Sequence, residues 1–243
     1  MPAGQDNNDR RRFFECVDFL GPLSDNPRNT LVMGAGLHTI RALYEVPRYL
    51  VLPNFFSRTM TGELLNFALS NQSGFEQTTV GKNKGEVKLT VRKSVGIREL
   101  GCLRHDIEVR LRTLVPEFIV SLAINEFRLS TTEIQLVAHG DGAFYHRHID
   151  TFTGEAALDQ RPQRMISGVY YFNSEPRGFS GGELRLYALA GEAPKFVDIE
   201  SEHNSLVVFP SWVPHEVRPV SCPSGRFIDS RFAINCWFCR TTP

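Results

Sequence analysis

The chain has 243 residues, 42% hydrophobic and 22% charged, which is ordinary globular composition and enough for one large domain or two small ones. Its 27 basic and 27 acidic side chains give a formal net charge of zero, which argues against broad electrostatic attraction to nucleic acid or an anionic membrane. The polar start, Met1 to Asp9, lacks the apolar core of a signal peptide, and no run approaches the ~18 apolar residues of a membrane span, so a cytoplasmic protein is expected.

Residues 1–46 read as an extension packed on the core, with short helices at 13–20 and 37–45 separated by Gly21-Pro22 and the turn chemistry of Asn26-Pro27-Arg28-Asn29. The remainder, 47–243, reads as one domain, with helical support over 47–124 and a β core over 125–243. Tyr49 to Leu52 is a short strand stopped by Pro53-Asn54. Phe56 to Ser70 is a helix, because Leu64, Leu65, Ala68 and Leu69 recur at the spacing of a buried stripe. Glu76 to Gly85 is a polar loop, and Val87 to Arg92 alternates like a strand. Asp106 to Leu122 carries helical spacing through Ile107, Leu111, Leu114 and Val115, with Pro116 kinking or dividing it.

After residue 125 the pattern changes to short β-like runs at 131–138, 144–150, 166–172, 182–187, 195–199, 204–209, 215–219 and 230–239, separated by Gly, Pro, Asn and Asp. Many short strands following a helical segment predict a sandwich or barrel buttressed by helices, an α+β chain with a mainly β core. The five cysteines are odd in number and form no framework, so reduced thiols are expected. Cys236 and Cys239 have CxxC spacing, but no second pair completes a zinc site, and on a strand they face opposite ways.

Chemistry concentrates at His148 and Asp150. Two apart on a strand, they share a face, and His215, 65 positions beyond Asp150, can join them from a neighbouring strand. Two imidazoles and one carboxylate on one side of an ion leave the opposite positions open, the arrangement of non-haem Fe(II) oxygenases. His146 shares that face by parity. His139 precedes the Gly140-Asp141-Gly142 turn and is expected at the surface. Arg231 begins the last strand, with Ala233, Asn235 and Trp237 on the same face. A guanidinium pointing into a β core needs either an acidic side chain or a bound anion as partner.

His148-Ile149-Asp150, Gly168 to Asn173, Phe179 to Leu186, Asn204 to Pro210, Pro214 to Val220 and Arg231 to Trp237 together resemble the prolyl 4-hydroxylase-like branch of the Fe(II)/2-oxoglutarate-dependent oxygenases, in register over residues 131–239. The resemblance implies a double-stranded β-helix of jelly-roll or cupin-like type. It implies Fe(II) held by His148, Asp150 and His215, and 2-oxoglutarate clamped by Arg231 with Tyr171, Tyr145 and Asn235 assisting. O2 is the co-reactant, and ascorbate enters as a reductant for this class. Arg226 competes with Arg231 for the clamp, and choosing Arg231 makes 221–229 an inserted loop.

The implied activity is hydroxylation of an unactivated C–H bond in an amino acid, a peptidyl or prolyl residue or a small metabolite, with release of succinate and CO2. Halogenating relatives lack the carboxylate that Asp150 supplies. The alternative is a cupin-like metal protein without 2-oxoglutarate chemistry, which has no need of Arg231 or Tyr171. The expected partner is a small-molecule or peptidyl substrate, without nucleic acid or membrane; the sequence leaves the oligomeric state open, a homodimer included. Loops 73–86, 92–104 and 151–165 are expected to frame the mouth; Arg92, Arg161 and Arg164 there are able to bind an acidic group, but solvated surface is the role expected for each.

Overall fold

The computed structural model describes residues 47–80, 86–153, 162–189 and 195–241. The expected extension at 1–46, with both of its helices, and Arg161 lie outside the described residues.

Strand β1 (Leu50–Pro53) leads into helix α1 (Arg58–Ser70). Ser57 starts the helix: its side chain accepts a hydrogen bond from the Met60 N–H, one of the donors that a first helical turn leaves unpaired. Thr61, Leu64 and Ala68 form the buried stripe. Helices α2 (Leu103–Thr113) and α3 (Val115–Ser121) fill the second helical stretch. Pro116 falls in the first turn of α3, where a missing N–H costs least, so it divides the stretch as expected.

Between α1 and α2 run three short strands, β2 (Glu76–Gln77), β3 (Arg92–Lys93) and β4 (Val95–Ile97), in segments expected to be loops. The strand expected at 87–92 does not form. The N–H groups of Val91 and Arg92 both turn back to the Lys88 carbonyl, and Val87 and Leu89 remain exposed. Extension there would gain no buried apolar face, so pairing begins only at Arg92.

The C-terminal half follows the expected strand series: β5 (Leu129–His139), β6 (Phe144–His148), β7 (Gln163–Phe172), β8 (Ser180–Gly181), β9 (Leu184–Tyr187), β10 (Phe196–Ile199), β11 (Ser205–Pro210), β12 (His215–Val217), β13 (Val220–Ser221) and β14 (Arg231–Arg240). The run read at 182–187 forms β9, and the short β8 precedes it. Gly181, which ends β8, and Gly182, which follows it, have φ of +70° and +75°, and a Cβ on Gly181 would sit 2.4 Å from the Pro219 carbonyl oxygen. The expected insertion at 221–229 is a loop closed by a 3-10 turn at Phe227–Asp229.

All strand pairs are antiparallel. Seven strands form one sheet in the order β1-β11-β7-β14-β5-β4-β2, and five form a second in the order β10-β9-β12-β6-β3. Strand alternation divides the larger sheet cleanly. Leu136, Ala138, Ile166, Leu206 and Phe238 face Leu64, Ile107, Leu111 and Phe118 of the helices. Val137, Tyr171, Val207 and Ala233 face Leu184, Leu186, Ile199 and Val213 across the sandwich. Burying each of these larger apolar side chains contributes about 1.5–3 kcal/mol. The result is the expected double-stranded β-helix with helical buttressing on one face. Among the described residues, no helix is long and apolar enough to cross a membrane.

Candidate active site

The smaller sheet brings His148 and His215 together directly, as register partners on β6 and β12. Asp150 lies just beyond β6, where its N–H donates to the Ser211 carbonyl at 2.9 Å. His215 Nε2 is 3.4 Å from Asp150 Oδ2, and His148 Nε2 is 3.7 Å from Oδ1. The three donor atoms lie within 4.8 Å of one another, a span that one metal ion bridges.

The backbone also sets the tautomers. His148 Nδ1 lies 2.8 Å from the His146 carbonyl and His215 Nδ1 2.9 Å from the Val213 carbonyl. A carbonyl only accepts, so each Nδ1 carries the proton and each Nε2 lone pair faces the shared centre. Burial pushes the His148 imidazole down to about 3, with His215 adding to the effect, so the ring is a neutral ligand. Burial alone would raise the Asp150 carboxyl, but His215, His148, Arg164 and Ser167 outweigh it and hold it at about 2. Ser167 donates to Asp150 Oδ2 at 2.7 Å; its single proton is then used, so Ser211 donates to Ser167 at 2.9 Å.

The larger sheet supplies the opposite wall of the cavity, which holds about 490 Å³ of empty space including its mouth. Arg231, Asn235 and Trp237 line it from β14, Tyr171 and Ser167 from β7, and His139 from β5. Arg231 is 1% exposed, yet its Nε and Nη2 have no hydrogen-bond partner, and neither has the Tyr171 hydroxyl. The guanidinium carbon sits 4.7 Å from the Tyr171 ring centroid. Burial pushes the Tyr171 hydroxyl up to about 12, keeping it a donor. Unpaired buried donors of this kind are rare and costly, and a carboxylate is the partner that a guanidinium fork fits. The residues present therefore fit both groups that the sequence pattern implies, a metal at the histidines and a dicarboxylate reaching Arg231.

Each expected site residue lies at this cavity. Tyr145 stacks on His148 with ring centroids 3.6 Å apart. Arg226 does not reach it: its side chain is 70% exposed and paired with Asp229 at 2.7 Å. His146 is exposed and packs on Phe144 rather than joining the ligands. Gln135 is buried opposite Asn235 in register, on the inward side.

Three expectations need correction. His139 is not at the surface but 3% exposed, because β5 continues through it and the turn starts one residue later. Its Nδ1 lies 3.2 Å from Arg231 Nη1, and since arginine only donates, His139 accepts there as a neutral ring. Arg92 is 7% exposed and packs on Tyr145, 4.7 Å from the ring centroid. Arg164 is held by Glu133 Oε2 at 2.5 Å and stacks on Trp237 at 4.0 Å. Sequence reading missed Ser167, which carries no motif; the two-residue period from Tyr171 through Val169 was the available signal. The four described cysteines are free thiols as expected, while Cys16 lies outside the described residues; Cys236 packs in the helix-facing core, and Cys239 is buried beside Glu133 on the other face.

Comparison with known proteins gives a consistent placement. Residues 134–239 match the family described as the 2OG-Fe(II) oxygenase superfamily. An uncharacterized PKHD-type hydroxylase of Synechocystis is 41% identical over 137 residues, covering 54% of this chain and 44% of the relative, so the likeness spans less than half of that protein's length. Among solved structures, a Pseudomonas putida prolyl-4-hydroxylase is similar at TM-score 0.59 and 24% identity, covering 81% of this chain and 94% of that one. A Trichoplax adhaerens prolyl hydroxylase is similar at TM-score 0.59 and 22% identity, covering 82% and 89%. These two likenesses bear on the fold, which they share with the sandwich described above. Residues 134–239 are thus similar to the 2OG-Fe(II) oxygenase superfamily.

Proposed function

We propose that the protein is an Fe(II)- and 2-oxoglutarate-dependent dioxygenase that hydroxylates an unactivated C–H bond of an amino acid, a peptidyl or prolyl residue or a small metabolite, releasing succinate and CO2. The observation that carries this reading is the meeting, in one cavity, of three converging metal donors and the unpaired Arg231 and Tyr171 donors. A metal site alone does not require a buried arginine with two free N–H faces.

Bound iron supplies the oxidising chemistry, fuelled by the decarboxylation of 2-oxoglutarate. The protein's own residues do the rest. His148, Asp150 and His215 would hold the metal, and Ser167 fixes the Asp150 carboxylate by donating to its Oδ2. Arg231, set by His139 and roofed by Tyr171, orients the far carboxylate of the cosubstrate, and Asn235 lines the same wall. Tyr145 stacks on the His148 ring and would shield that ligand from water. Asp150 occupies the position that halogenating relatives leave open, which favours hydroxyl transfer. Ascorbate as reductant, a homodimer and a cytoplasmic location belong to the same proposal.

The test is anaerobic addition of Fe(II) and then 2-oxoglutarate, watching for the weak visible charge-transfer band of the chelate, followed by air and a succinate assay. A band with succinate supports the reading, and His148→Ala, Asp150→Ala or His215→Ala should each remove it. Iron binding with neither band nor succinate would move the protein to the cupin-like class.

A further inference from the structure

Resting on the function proposed above, we infer that the substrate carries a carboxylate or equivalent anionic group, and that Arg92 is the residue that binds it. Arg92 is an arginine that the cosubstrate clamp does not use. Arg92 lies on β3, register partner of Tyr145 on β6, and its side chain lines the same cavity as the metal donors. It is 7% exposed, Nε donates to Ser94 Oγ at 3.0 Å, and the guanidinium packs against the Tyr145 ring. Among the described residues its two terminal nitrogens make no hydrogen bond and no carboxylate lies within ion-pair distance, and neither nitrogen is fully buried, so both are accessible to a ligand in the cavity. Tyr145 stacks in turn on the metal-ligand candidate His148, so Arg92 stands one ring away from the reacting centre.

The charges at the site show what is missing. Asp150 belongs to the metal donors, and Glu133 is already committed to Arg164. A divalent metal and a dianionic cosubstrate neutralise each other. Arg92 is left with only the longer-range attraction of Asp150, a carboxylate that a metal would claim, and it is 7% exposed on the wall of the same cavity. Burying a guanidinium without a counter-charge is costly, and burial lowers its affinity for its proton in the free protein. A substrate anion removes that cost, adds up to two charge-assisted hydrogen bonds through the terminal nitrogens, and places the neighbouring C–H groups within one side-chain length of the metal. The Arg92 fork thus selects amino acids with a free carboxylate, acidic side chains or other organic acids over neutral amides.

The test uses the full chain loaded with Zn(II) and 2-oxoglutarate, which is inert to air, and reads binding by 19F NMR. The probes are N-trifluoroacetyl-glycine and its primary amide, which differ only in the charge. The expected result is that the acid binds about tenfold more tightly than the amide, or better, and that Arg92→Gln abolishes the difference. Equal binding of acid and amide, or binding of neither at millimolar concentration, overturns the assignment. So does Arg92→Gln if it keeps the preference, or if it weakens 2-oxoglutarate itself as Arg231→Met should, because the guanidinium then serves the cosubstrate. Should Arg92→Gln fail to fold, Arg92→Lys decides. It keeps the charge but not the fork, so a retained but reduced preference supports the assignment and an undiminished one overturns it. Failure of the wild-type protein to take up 2-oxoglutarate is a different result and removes the underlying function as well.

Discussion

Replacing Arg231 with Met separates a binding arginine from a structural one, because the two roles predict opposite signs. Methionine keeps much of the side-chain length and apolar contact with Tyr171 while deleting the charge. In the free protein, Arg231 is 1% exposed with Nε and Nη2 unpaired, and its one partner, His139, is a neutral acceptor that can change tautomer. Removing a buried, poorly compensated cation should leave unfolding free energy unchanged or raise it by about 1 kcal/mol. The cosubstrate complex behaves in the opposite way. Two charge-assisted hydrogen bonds to a carboxylate are together worth about 3–5 kcal/mol, so the 2-oxoglutarate dissociation constant should rise by about 10²–10³. Urea unfolding of the metal-free protein measures the first quantity, and calorimetric titration of the Zn(II)-loaded protein the second. A variant that loses several kcal/mol of stability but binds 2-oxoglutarate as the wild type does would refute the reasoning, and Arg231 would be a structural residue.

Ser167→Ala removes the hydrogen bond to Asp150 Oδ2 without touching a ligand, and should weaken divalent metal binding by about 10–100-fold, read by competition with a chromogenic chelator. Gly182→Ala places a Cβ 2.6 Å from Arg231 Cδ at a φ of +75°. It should cost about 1–3 kcal/mol in stability and weaken 2-oxoglutarate more than metal, as the two titrations above would show. His139 is pushed well below its ordinary range by burial, then by Arg231 and Arg92, so the folded state holds it neutral while the unfolded chain titrates at about 6.5. Its contribution to stability is therefore complete above pH 6.5 and is lost as pH falls below it, at about 1.4 kcal/mol per pH unit. His139→Gln, whose amide oxygen can still accept from Arg231, should flatten the metal-free stability profile by that slope; an unaltered slope would place the proton uptake elsewhere.

The sequence made the metal donors legible because their roles follow from chemistry and parity together. His148 and Asp150 share a face at spacing two, and the strand holding His215 could be recognised from its surroundings. Arg231 was legible for the same reason, as an arginine on the inward parity of a strand of otherwise small or apolar inward positions. Arg92 and His139 were misjudged because their burial is set by partners distant in sequence. His139 is covered by Arg231, 92 positions later, and Arg92 by Tyr145 on a strand that its own local pattern does not announce. The strand expected at 87–92 failed for a related reason: alternation was present locally, but no sheet lay opposite to bury Val87 and Leu89. Ser167 illustrates a third case, in which the residue type is uninformative and only its register under Asp150 gives it a role.

The division of the site between the two sheets has a mechanical consequence. The two histidine donors ride on the five-stranded sheet, with Asp150 just beyond its strand β6, whereas Arg231, Tyr171, Asn235 and Ser167 belong to the seven-stranded one. The distance from metal to clamp is therefore fixed by neither sheet but by the apolar layer between them, where Val137, Val207 and Ala233 meet Leu184, Leu186 and Val213. That layer acts as a spacer of set thickness. Adding or removing a methylene within it would retune the reach between the two halves without altering a single polar residue, and gives selection a way to adjust catalysis from positions that never touch a ligand.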